Sequence, residues 1–587
     1  MEGFLPINKG DMKKAGIAQL DFVLVTGDAY VDHPSFAHAI ISRYLVAHGY
    51  SVGIIAQPDW RKTTAFEVLG RPRLGFLISA GNMDSMVNLY TVNKRRRKQD
   101  LYTPGGKTGK RPERSTIVYT RKIREAYGDI PVIVGGIEAS LRRFAHYDYW
   151  DNHVKPSLLM ESGADILVYG MGERAIVEIA EALDGGLAAG DITYVEGTMY
   201  RAPSLSRVYE YEALPSYRQV KGDKEAYAKA FLKQMHDRKH VLVQRHGEEY
   251  VVQNIPARPL GQQELDFVYS LPYTRKAHPV YTQAIPALSE VEYSITATRG
   301  CAGACAFCAL YYHQGKDVAW RSEKSIVREA ESFLHDKNFK GYIHDVGGPT
   351  ANFYGLTCTN PKGRCDTRRC LTPEKCRFLK EDHTKYLHLL RRLRSLKGIK
   401  RVFIRSGIRH DYALLDKSGE FIRELAAYHV SGQLKLAPEH VSPDVLKCMG
   451  KPDIEKYTRF CQKFEAASRR AGKKQYILPY FMSSHPGSTL MDAVKLAEFI
   501  RDTGFMPEQA QDFYPTPGTL ATCMYYTGFD PVTGKKVYIP KSPAEKEMQR
   551  ALIQYKSPKN RAAVKRALRQ AERDDLIGNS RNSLVRE

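Results

Sequence analysis

The chain has 587 residues, 43% of them hydrophobic and 26% charged, a composition that excludes a disordered or fibrous protein and allows several buried cores. Its 88 basic and 65 acidic residues give a net charge of +23, which attracts polyanions without identifying one. No run approaches the ~18 apolar residues of a membrane-spanning helix, and residues 1–22 lack the apolar core of a secretory signal, so we expect a cytoplasmic protein with no membrane partner.

The first 190 residues repeat a pattern of short buried strands, most of which end at glycine. Predicted strands cover 21–26, 51–56, 74–79, 130–134 and 166–169. Continuous apolar runs of this length are typical of parallel strands that are buried on both faces. We therefore predict a doubly wound, Rossmann-like α/β domain over residues 1–190, with any ligand at the carboxyl ends of its strands.

Two segments have a weaker pattern. Residues 191–285 are charged and rich in tyrosine, with a helix predicted over 221–240 and a strand over 241–244, and we interpret them as a connecting subdomain. Residues 531–587 are basic and are predicted to form a small C-terminal extension with two helices. Neither segment carries a motif that indicates chemistry.

A second alternating series occupies residues 286–530. Its predicted strands are 293–297, 341–345, 401–405, 433–437, 475–480 and 509–513. The predicted helices between them are 324–333, 383–394, 421–428, 453–471 and 489–503. Six β/α units in a row predict a parallel (β/α)6 barrel, open or closed.

The segment from Lys94 to Arg124 is strongly basic. It contains twelve lysines and arginines but only two acidic residues, Asp100 and Glu113. A solvated loop and a phosphate-binding patch both fit such a run. The second interpretation would make RNA a partner.

The ten cysteines are unevenly distributed. The first 300 residues contain none, and seven lie between Cys301 and Cys376. A disulfide framework would spread pairs over a secreted domain, whereas clustering in a large chain indicates metal or redox chemistry.

Three cysteines follow the first predicted barrel strand with the spacing Cys301-x3-Cys305-x2-Cys308. Three thiolates on one short loop can ligate three irons of a [4Fe-4S] cube, and the small residues between them let the backbone wrap closely around it. The fourth iron is then open to a substrate or cofactor. A zinc site is disfavoured here because zinc prefers four ligands.

A second group lies between the second barrel strand and the next helix. It comprises Cys358, Cys365, Cys370 and Cys376. Four thiolates suffice for a structural zinc or an auxiliary iron-sulfur cluster, and disulfides or free thiols are the alternatives.

The three-cysteine loop after a strand resembles the signature of the radical S-adenosylmethionine (SAM) superfamily. The resemblance implies that the open iron chelates the amino and carboxylate groups of SAM. One electron, from an external donor such as flavodoxin or ferredoxin, then cleaves SAM to methionine and a 5'-deoxyadenosyl radical, which abstracts a hydrogen atom.

The same resemblance implies SAM contacts at the ends of barrel strands two to five. They fall on Gly347, Gly348, Ser406, Arg409, Glu439, Tyr480 and Ser484. The Gly-Gly turn would meet the SAM amino group through its backbone, with Pro349 in place of the usual Glu. The third and fourth strand ends would lie near the carboxylate and ribose, and the fifth near the adenine. No catalytic residue is implied, so the group that positions the substrate's hydrogen stays unknown.

Over nearly its whole length the chain is similar to the YgiQ-type family of radical SAM proteins. The strings that carry this similarity include residues 26–36, 54–60, 135–140, 347–352 and 438–440. The family does not define a substrate. Its N-terminal domain resembles a cobalamin-binding domain, but residues 28–33 lack the Asp-x-His-x-x-Gly pattern, so cobalamin would bind only without histidine ligation. A substrate or docking domain is the alternative, with His33 as a hydrogen-bonding loop residue.

These observations predict a radical SAM enzyme of unassigned reaction. A more specific hypothesis is a radical SAM enzyme that modifies RNA, and it is based on the basic segment. A non-catalytic iron-sulfur protein for electron transfer or redox sensing is the alternative, although such a cluster is expected to have four protein ligands. A zinc-containing nucleic-acid scaffold is a third. A methylthiotransferase is disfavoured, because residues 1–300 contain no cysteine for its second site.

Overall fold

One nine-stranded sheet runs through the N-terminal half of the chain in this computed structural model, which describes residues 3–361, 365 and 370–586. Its strands are β1 Phe22–Thr26, β2 Val52–Ala56, β3 Gly75–Ser79, β4 Val132–Gly135, β5 Ile166–Val168, β6 Thr198–Ala202, β7 Tyr211–Ala213, β8 Val241–His246 and β9 Glu249–Gln253. Their order across the sheet is β7-β8-β9-β6-β5-β4-β3-β1-β2.

The five strands β2-β1-β3-β4-β5 are parallel to one another. All five residues of β1 are buried, as a central strand covered by helices on both faces requires. The strand order reverses between β1 and β3, and such a reversal opens a crevice outside the carboxyl ends of the strands. The predicted doubly wound α/β domain is confirmed.

Four further strands extend this sheet beyond β5. Strand β6 pairs antiparallel with β5 and with β9, β8 pairs antiparallel with β9, and β7 pairs parallel with β8. The proposed domain boundary at residue 190 therefore does not coincide with an edge of the sheet. The strand predicted over 241–244 is β8. Strands β6, β7 and β9 were not predicted, because none forms a continuous apolar run; β6, for example, contains the exposed Arg201 among buried residues.

The predicted six β/α units form the second half of the chain. Their strands are β10 Ser294–Thr296, β11 Tyr342–Ile343, β12 Asp345–Gly347, β13 Arg401–Val402, β14 Gln433–Glu439, β15 Tyr476–Ser483 and β16 Gln511–Asp512. Strands β11 and β12 are two parts of one predicted strand, separated by His344. The pairs β10–β12, β11–β13, β14–β15 and β15–β16 are all parallel, as in a (β/α) barrel.

The helices alternate with these strands. In the N-terminal half they are Lys9–Lys14, Ala37–Ala47, Ser85–Leu89, Ser115–Tyr127, Gly136–Leu141, Leu158–Ser162, Glu173–Asp184, Tyr217–Gly222, Lys224–His236, Gln262–Ser270 and Pro286–Val291. In the second half they are Ala309–Gln314, Glu323–Phe333, Thr384–Arg394, His410–Ala413, Glu420–Glu424, Pro443–Met449, Ile454–Arg470, Leu490–Thr503, Leu520–Thr527, Pro543–Ile553 and Arg561–Gln570. Among the described residues, none of the helices is both long and apolar enough to span a bilayer.

The last two helices pack on the barrel. Leu552 and Leu568 share one buried apolar cluster with Val494 of the helix Leu490–Thr503. The basic C-terminal segment is therefore attached to the fifth β/α unit through a hydrophobic core of its own.

Candidate active site

The three-cysteine loop starts from a short hairpin and ends at a helix. Residues Thr298–Arg299 pair antiparallel with Ala319–Trp320, and the helix Ala309–Gln314 begins after Cys308. Gly300 lies between hairpin and loop with a φ of 77°, and a Cβ there would be 1.9 Å from the carbonyl oxygen of Asp317. Only glycine fits this position, so the local sequence determines the path of the loop.

Neighbouring elements anchor the loop. The backbone N–H of Ala306 donates to the carbonyl of Met449 (2.9 Å), and the N–H of Ala521 donates to the carbonyl of Ala306 (2.9 Å). At Gly450, whose φ is 68°, a Cβ would lie 2.7 Å from the carbonyl oxygen of Ala304. The end of the helix Pro443–Met449 thus approaches the cysteine loop backbone to backbone.

The thiols themselves are partly enclosed. Cys301 Sγ lies 3.5 Å from Thr350 Oγ1 and accepts from the N–H of Gly303 at 3.4 Å. Burial raises the pKa of the Cys301 thiol, and burial together with the charges of Cys305 and Cys301 raises the pKa of Cys308 to about 12. Three thiolates in this loop therefore need positive charge beside them.

Two buried cations supply such charge. Arg409 Nη1 is 3.7 Å from Cys305 Sγ and 3.2 Å from the carbonyl oxygen of Gly303. Burial opposes the charge on Arg409, yet Asp411 and the thiolates raise its pKa. Burial also opposes the charge on Lys451. The negative charges of Cys305 and Glu439 outweigh this effect, so the net result is a raised pKa for Lys451.

This donor set fits an anionic iron-sulfur cube. Among the described residues, no three His, Cys, Asp or Glu side chains converge as they would around one metal ion. A cube has no such requirement, because each cysteine ligates a different iron. Soft thiolates that are shielded from water and faced by buried cations suit iron-sulfur ligation.

The contacts of Arg409 differ from the SAM contact that the family resemblance implies. Its Nε and Nη2 donate to the Asp411 carboxylate at 2.8 and 2.6 Å, and its Nη1 faces the cysteine loop. The guanidinium is therefore committed to Asp411 and to the surroundings of Cys305. Its contact with SAM stays a prediction.

The Gly-Gly turn at the end of β12 requires glycine, because neighbouring side chains pack directly against its backbone. A Cβ on Gly347 would lie 2.4 Å from Ser406 Oγ, and one on Gly348 would lie 2.3 Å from Thr298 Oγ1. Ser406 is held in turn by Asp345, which accepts from its hydroxyl and, at 3.0 Å, from its N–H. Gly347, Gly348 and Ser406 therefore form one packed unit at the ends of β12 and β13.

The ends of β14 and β15 combine strained backbone with unpaired polar atoms. Glu439 and Ser484 have φ values of 70° and 62°, a region that costs non-glycine residues energy. Both residues are buried, and Glu439 Oε2 and Ser484 Oγ have no hydrogen-bond partner among the described residues. Tyr480 lies half-buried in β15. Strain and unpaired buried atoms at one place are typical of a site built for a polar ligand.

Two buried histidines lie beside these residues. His440 follows Glu439 and His485 follows Ser484, and the Nε2 atom of each has no partner in the described part of the chain. Burial lowers the pKa of His440 to about 4 and that of His485 to about 3, so both rings are neutral at pH 7. His485 also packs edge-on against Phe307 of the cysteine loop, with ring centroids 5.8 Å apart.

The later cysteine group lies against the first loop. Cys370 and Cys376 join a small apolar cluster with Ala302 and Cys301. Thr372 Oγ1 donates to the carbonyl of Gly450 at 3.1 Å, on the element that anchors the cysteine loop. Cys358 is exposed. The structure thus brings at least half of this group close to Cys301.

His33 and Asp28 of the N-terminal domain form hydrogen bonds that hold their own loop in place. His33 is fully buried, its Nδ1 accepts from the N–H of Ser35 at 3.0 Å, and its Nε2 is 2.9 Å from Arg275 Nη1. Asp28 accepts from Arg111 Nη2 and from the N–H of Asn82, both at 2.7 Å. His33 therefore has no free ring nitrogen for a cofactor, in line with its interpretation as a hydrogen-bonding loop residue.

Lys451 and Thr350 were not predicted to lie near the cysteines. Lys451 belongs to no recognisable motif, and Thr350 lies in the family-like string 347–352 but had no role assigned to it. Each comes near a cysteine only through the packing of separate β/α units. The one signal in the sequence is the Gly450-Lys451 pair that ends a helix, which is too common to single out.

Matches to known proteins agree with this geometry. The family model described as Radical SAM N-terminal matches residues 4–294, the model of the Radical SAM superfamily matches residues 295–500, and a domain of unknown function, DUF3362, matches residues 508–587. The fold and the cysteine loop thus define the class as radical SAM proteins with an N-terminal α/β domain.

The relatives identify the family within this class. A UPF0313 protein of Clostridium perfringens is 56% identical over 593 residues, covering 100% of this chain and 90% of the relative. One from Clostridium botulinum is 52% identical over 590 residues, covering 99% and 92%. The chain belongs to the UPF0313, or YgiQ-type, family of radical SAM proteins, and the predicted resemblance is confirmed.

Two solved structures resemble the chain more distantly. The radical S-adenosylmethionine methyltransferase TsrM from Kitasatospora setae is 16% identical with a TM-score of 0.47, covering 86% of this chain and 77% of that one. The cobalamin-dependent S-adenosylmethionine radical enzyme OxsB is 13% identical with a TM-score of 0.46, covering 96% and 64%.

Proposed function

We propose that this protein is a radical SAM enzyme whose cluster is held by Cys301, Cys305 and Cys308. The observation that carries the proposal is the glycine-shaped loop that presents three enclosed thiols beside the buried cations Arg409 and Lys451. When bound, the cluster supplies the electron for cleavage of SAM to methionine and a 5'-deoxyadenosyl radical.

The residues of the barrel mouth would bind and orient SAM. The turn at Gly347 and Gly348 would present its backbone groups to SAM, and its lack of Cβ atoms lets Ser406 and Thr298 pack directly against it. The unpaired Glu439 Oε2 can accept a hydrogen bond, and the unpaired Ser484 hydroxyl can donate or accept one. The N-terminal domain lies across a shared cavity from Thr298 and Gly348, where it would help to exclude water from a reactive intermediate. An external donor such as flavodoxin or ferredoxin would supply the electron.

The proposal is tested by electron paramagnetic resonance of the anaerobically reconstituted, dithionite-reduced protein. SAM should change the g values of the reduced cluster, because it would fill the coordination position that the three cysteines leave open. A cluster signal that is identical with and without excess SAM would support the alternative of an iron-sulfur protein for electron transfer or redox sensing.

We also propose a second metal site on Cys358, Cys365, Cys370 and Cys376. It is supported by the approach of Cys370 and Cys376 to the first loop. About four irons and one zinc per chain would assign zinc to this group, and about eight irons would assign an auxiliary cluster. A count of four irons without zinc would remove the second site.

RNA modification is a second candidate, favoured by exposed charge. Of the twelve basic residues in the segment, eight are exposed: Lys94, Arg95, Arg96, Arg97, Lys98, Lys107, Lys110 and Arg121. Arg111 is not among them, because it is buried against Asp28. Transfer RNA should bind with an affinity that falls steeply as salt increases. Binding no tighter than that of a neutral polymer would remove this candidate.

A further inference from the structure

A cavity of about 550 Å³ separates the N-terminal sheet from the barrel mouth. Ser79, Gly135 and Gly170 line it from the carboxyl edge of the sheet, and Thr298 and Gly348 line it from the barrel. Its size lies within the ~300–1,000 Å³ of typical small-molecule sites. Ser406, Glu439, Tyr480 and Ser484 are not part of its wall, so it is distinct from most of the proposed SAM contacts and meets them at Gly348.

The inner part of the cavity is apolar. It reaches between the sheet face and the helices Ala37–Ala47 and Glu173–Asp184, where Leu24, Leu77 and Ile133 line it. These side chains are at most 4% exposed, so a ligand placed there loses nearly all contact with water. An uncharged group gains from this environment, whereas an ionised one would lose its hydration.

The outer part carries hydrogen-bonding groups without partners. Glu173, Arg299 and Thr298 all line the cavity and are 1%, 6% and 2% exposed. Arg299 Nη1 pairs with Glu173 Oε1 across the two domains. Glu173 Oε2, Arg299 Nη2 and Thr298 Oγ1 have no partner among the described residues.

This ion pair therefore leaves one acceptor and one donor unsatisfied. Buried polar groups in native proteins are almost always hydrogen-bonded, and an unpaired one calls for a ligand or a water molecule. A single ligand edge with a donor next to an acceptor would satisfy Glu173 and Arg299 together. Planar nitrogen heterocycles have such edges, and their rings suit the apolar inner part.

We infer that this cavity binds a planar nitrogen heterocycle through an edge with adjacent hydrogen-bond donor and acceptor. Because the cavity adjoins Gly348, the inference rests on the proposed function and names its substrate class. The ring could come from a free nucleoside or from a base extruded from RNA, since both present the same edge.

The probe for this inference is the fluorescent nucleoside 2-aminopurine riboside, whose ring nitrogen accepts next to an amino group that donates. The anaerobically reconstituted full chain should change its fluorescence saturably with one site per chain. Purine riboside, which lacks the amino donor, should compete at least about tenfold more weakly, because a site that hydrogen-bonds a group rejects the analogue without it. A second arm uses a short RNA that carries 2-aminopurine in a loop.

Variants locate the site. Ile137 lines the cavity and is only partly buried, so Ile137→Trp should fill the space and weaken binding at least about tenfold. Glu173→Gln should weaken binding of the amino-bearing ring more than that of purine riboside. Met160→Trp is the matched control, since Met160 is a partly buried apolar residue of the same domain outside this wall. Iron content and circular dichroism confirm that each variant is folded.

The outcomes separate this inference from the proposed function. Binding of either the nucleoside or the RNA that Ile137→Trp weakens at least about tenfold supports the inference and identifies the source of the ring. Absence of saturable binding in both arms, or binding that Ile137→Trp leaves unchanged, overturns it. SAM cleavage is measured in the same preparation: cleavage without ring binding refutes the inference alone, whereas ring binding without cleavage refutes the proposed function alone.

Discussion

At the scale of single residues, Lys451 and Arg409 determine the charge around Cys305. Lys451 Nζ donates to the carbonyl of Ala437 at 2.9 Å and lies 3.3 Å from Glu439 Oε1. The Lys451 side chain is 8% exposed, so water screens its charge weakly. A buried cation near a cluster stabilises the reduced, more negative state.

Replacement of Lys451 should therefore lower the reduction potential of the cluster. We expect Lys451→Gln to shift it downward by about 60 mV, equivalent to a tenfold change in a one-electron equilibrium. The shift is measured by a redox titration followed by electron paramagnetic resonance. Lys447→Gln is the control, because Lys447 is exposed on the same helix end. Equal potentials in both variants would contradict the role given to Lys451.

Gly300 should be required for iron binding by the cysteine loop. In Gly300→Ala the new methyl would lie 1.9 Å from the Asp317 carbonyl oxygen, so the loop must move and iron content after reconstitution should fall by more than half. Gly472 has a similar φ of 64° with no atom within 4 Å of a Cβ. Gly472→Ala should therefore cost only ~1–2 kcal/mol of backbone strain and keep the iron. Full iron content in Gly300→Ala would show that the loop tolerates another path.

At the scale of elements, the helix Pro543–Ile553 supports the fifth strand end. Gln549 Oε1 accepts from the N–H of Ser484 at 3.0 Å and from Ser488 Oγ at 2.9 Å. This side chain holds Ser484 in its left-handed conformation, so the C-terminal segment contributes to the proposed SAM site without lying in it.

Loss of this support should weaken SAM binding. Gln549→Leu is expected to raise the Kd for SAM about tenfold, at unchanged iron content, because Ser484 loses a buried hydrogen bond. Equilibrium dialysis with labelled SAM measures the effect. Gln554→Leu is a suitable comparison, since Gln554 donates to Pro507 and Glu508 instead. An unchanged Kd in Gln549→Leu would separate the C-terminal helix from the SAM site.

Elements that bury continuous apolar runs were predictable from sequence. Strands β1 to β5 match their predicted ranges to within two residues. A strand that is buried on both faces is a continuous apolar run, and such a run is easy to locate in the sequence. Strands β6 and β9 pair with each other from distant positions in the sequence, and neither forms a continuous apolar run, so only the folded sheet identifies them.

Part of the proposed site was likewise predictable from sequence, and part of it was not. The three cysteines of the loop are close together in sequence and were therefore visible as a motif. The positions of Lys451 and Arg409 beside Cys305 and the cavity beside Gly348 depend on how separate β/α units pack. No local pattern encodes such distances, so they required the structure.

At the scale of the whole molecule, Lys546 joins three parts of the chain. This residue of the C-terminal helix lies 3.0 Å from Tyr525 Oη of the barrel and 3.4 Å from Tyr149 Oη of the N-terminal domain. Burial lowers the pKa of Lys546 to about 8. Packing between these parts therefore holds an amine that loses its proton more readily than a free lysine.

The unfolded chain holds this proton up to about pH 10.5, whereas the folded chain loses it near pH 8. Between these values the unfolded state binds more protons, so stability should rise with pH in this window. Lys546→Met should raise the Tm at pH 7, by an effect of about 1 kcal/mol, and flatten the rise between pH 8 and 10. Thermal unfolding of both proteins across this range tests it. A parallel pH dependence in both would contradict the assignment.

The central claim is that the enclosed three-cysteine loop supports reductive cleavage of SAM. Its most direct test is 5'-deoxyadenosine formation by the anaerobically reconstituted, dithionite-reduced chain, with Cys305→Ala as the control. We predict 5'-deoxyadenosine from the native chain and none above background from Cys305→Ala. A chain that holds about four irons yet forms no 5'-deoxyadenosine, or a Cys305→Ala variant that forms as much as the native chain, would contradict the claim.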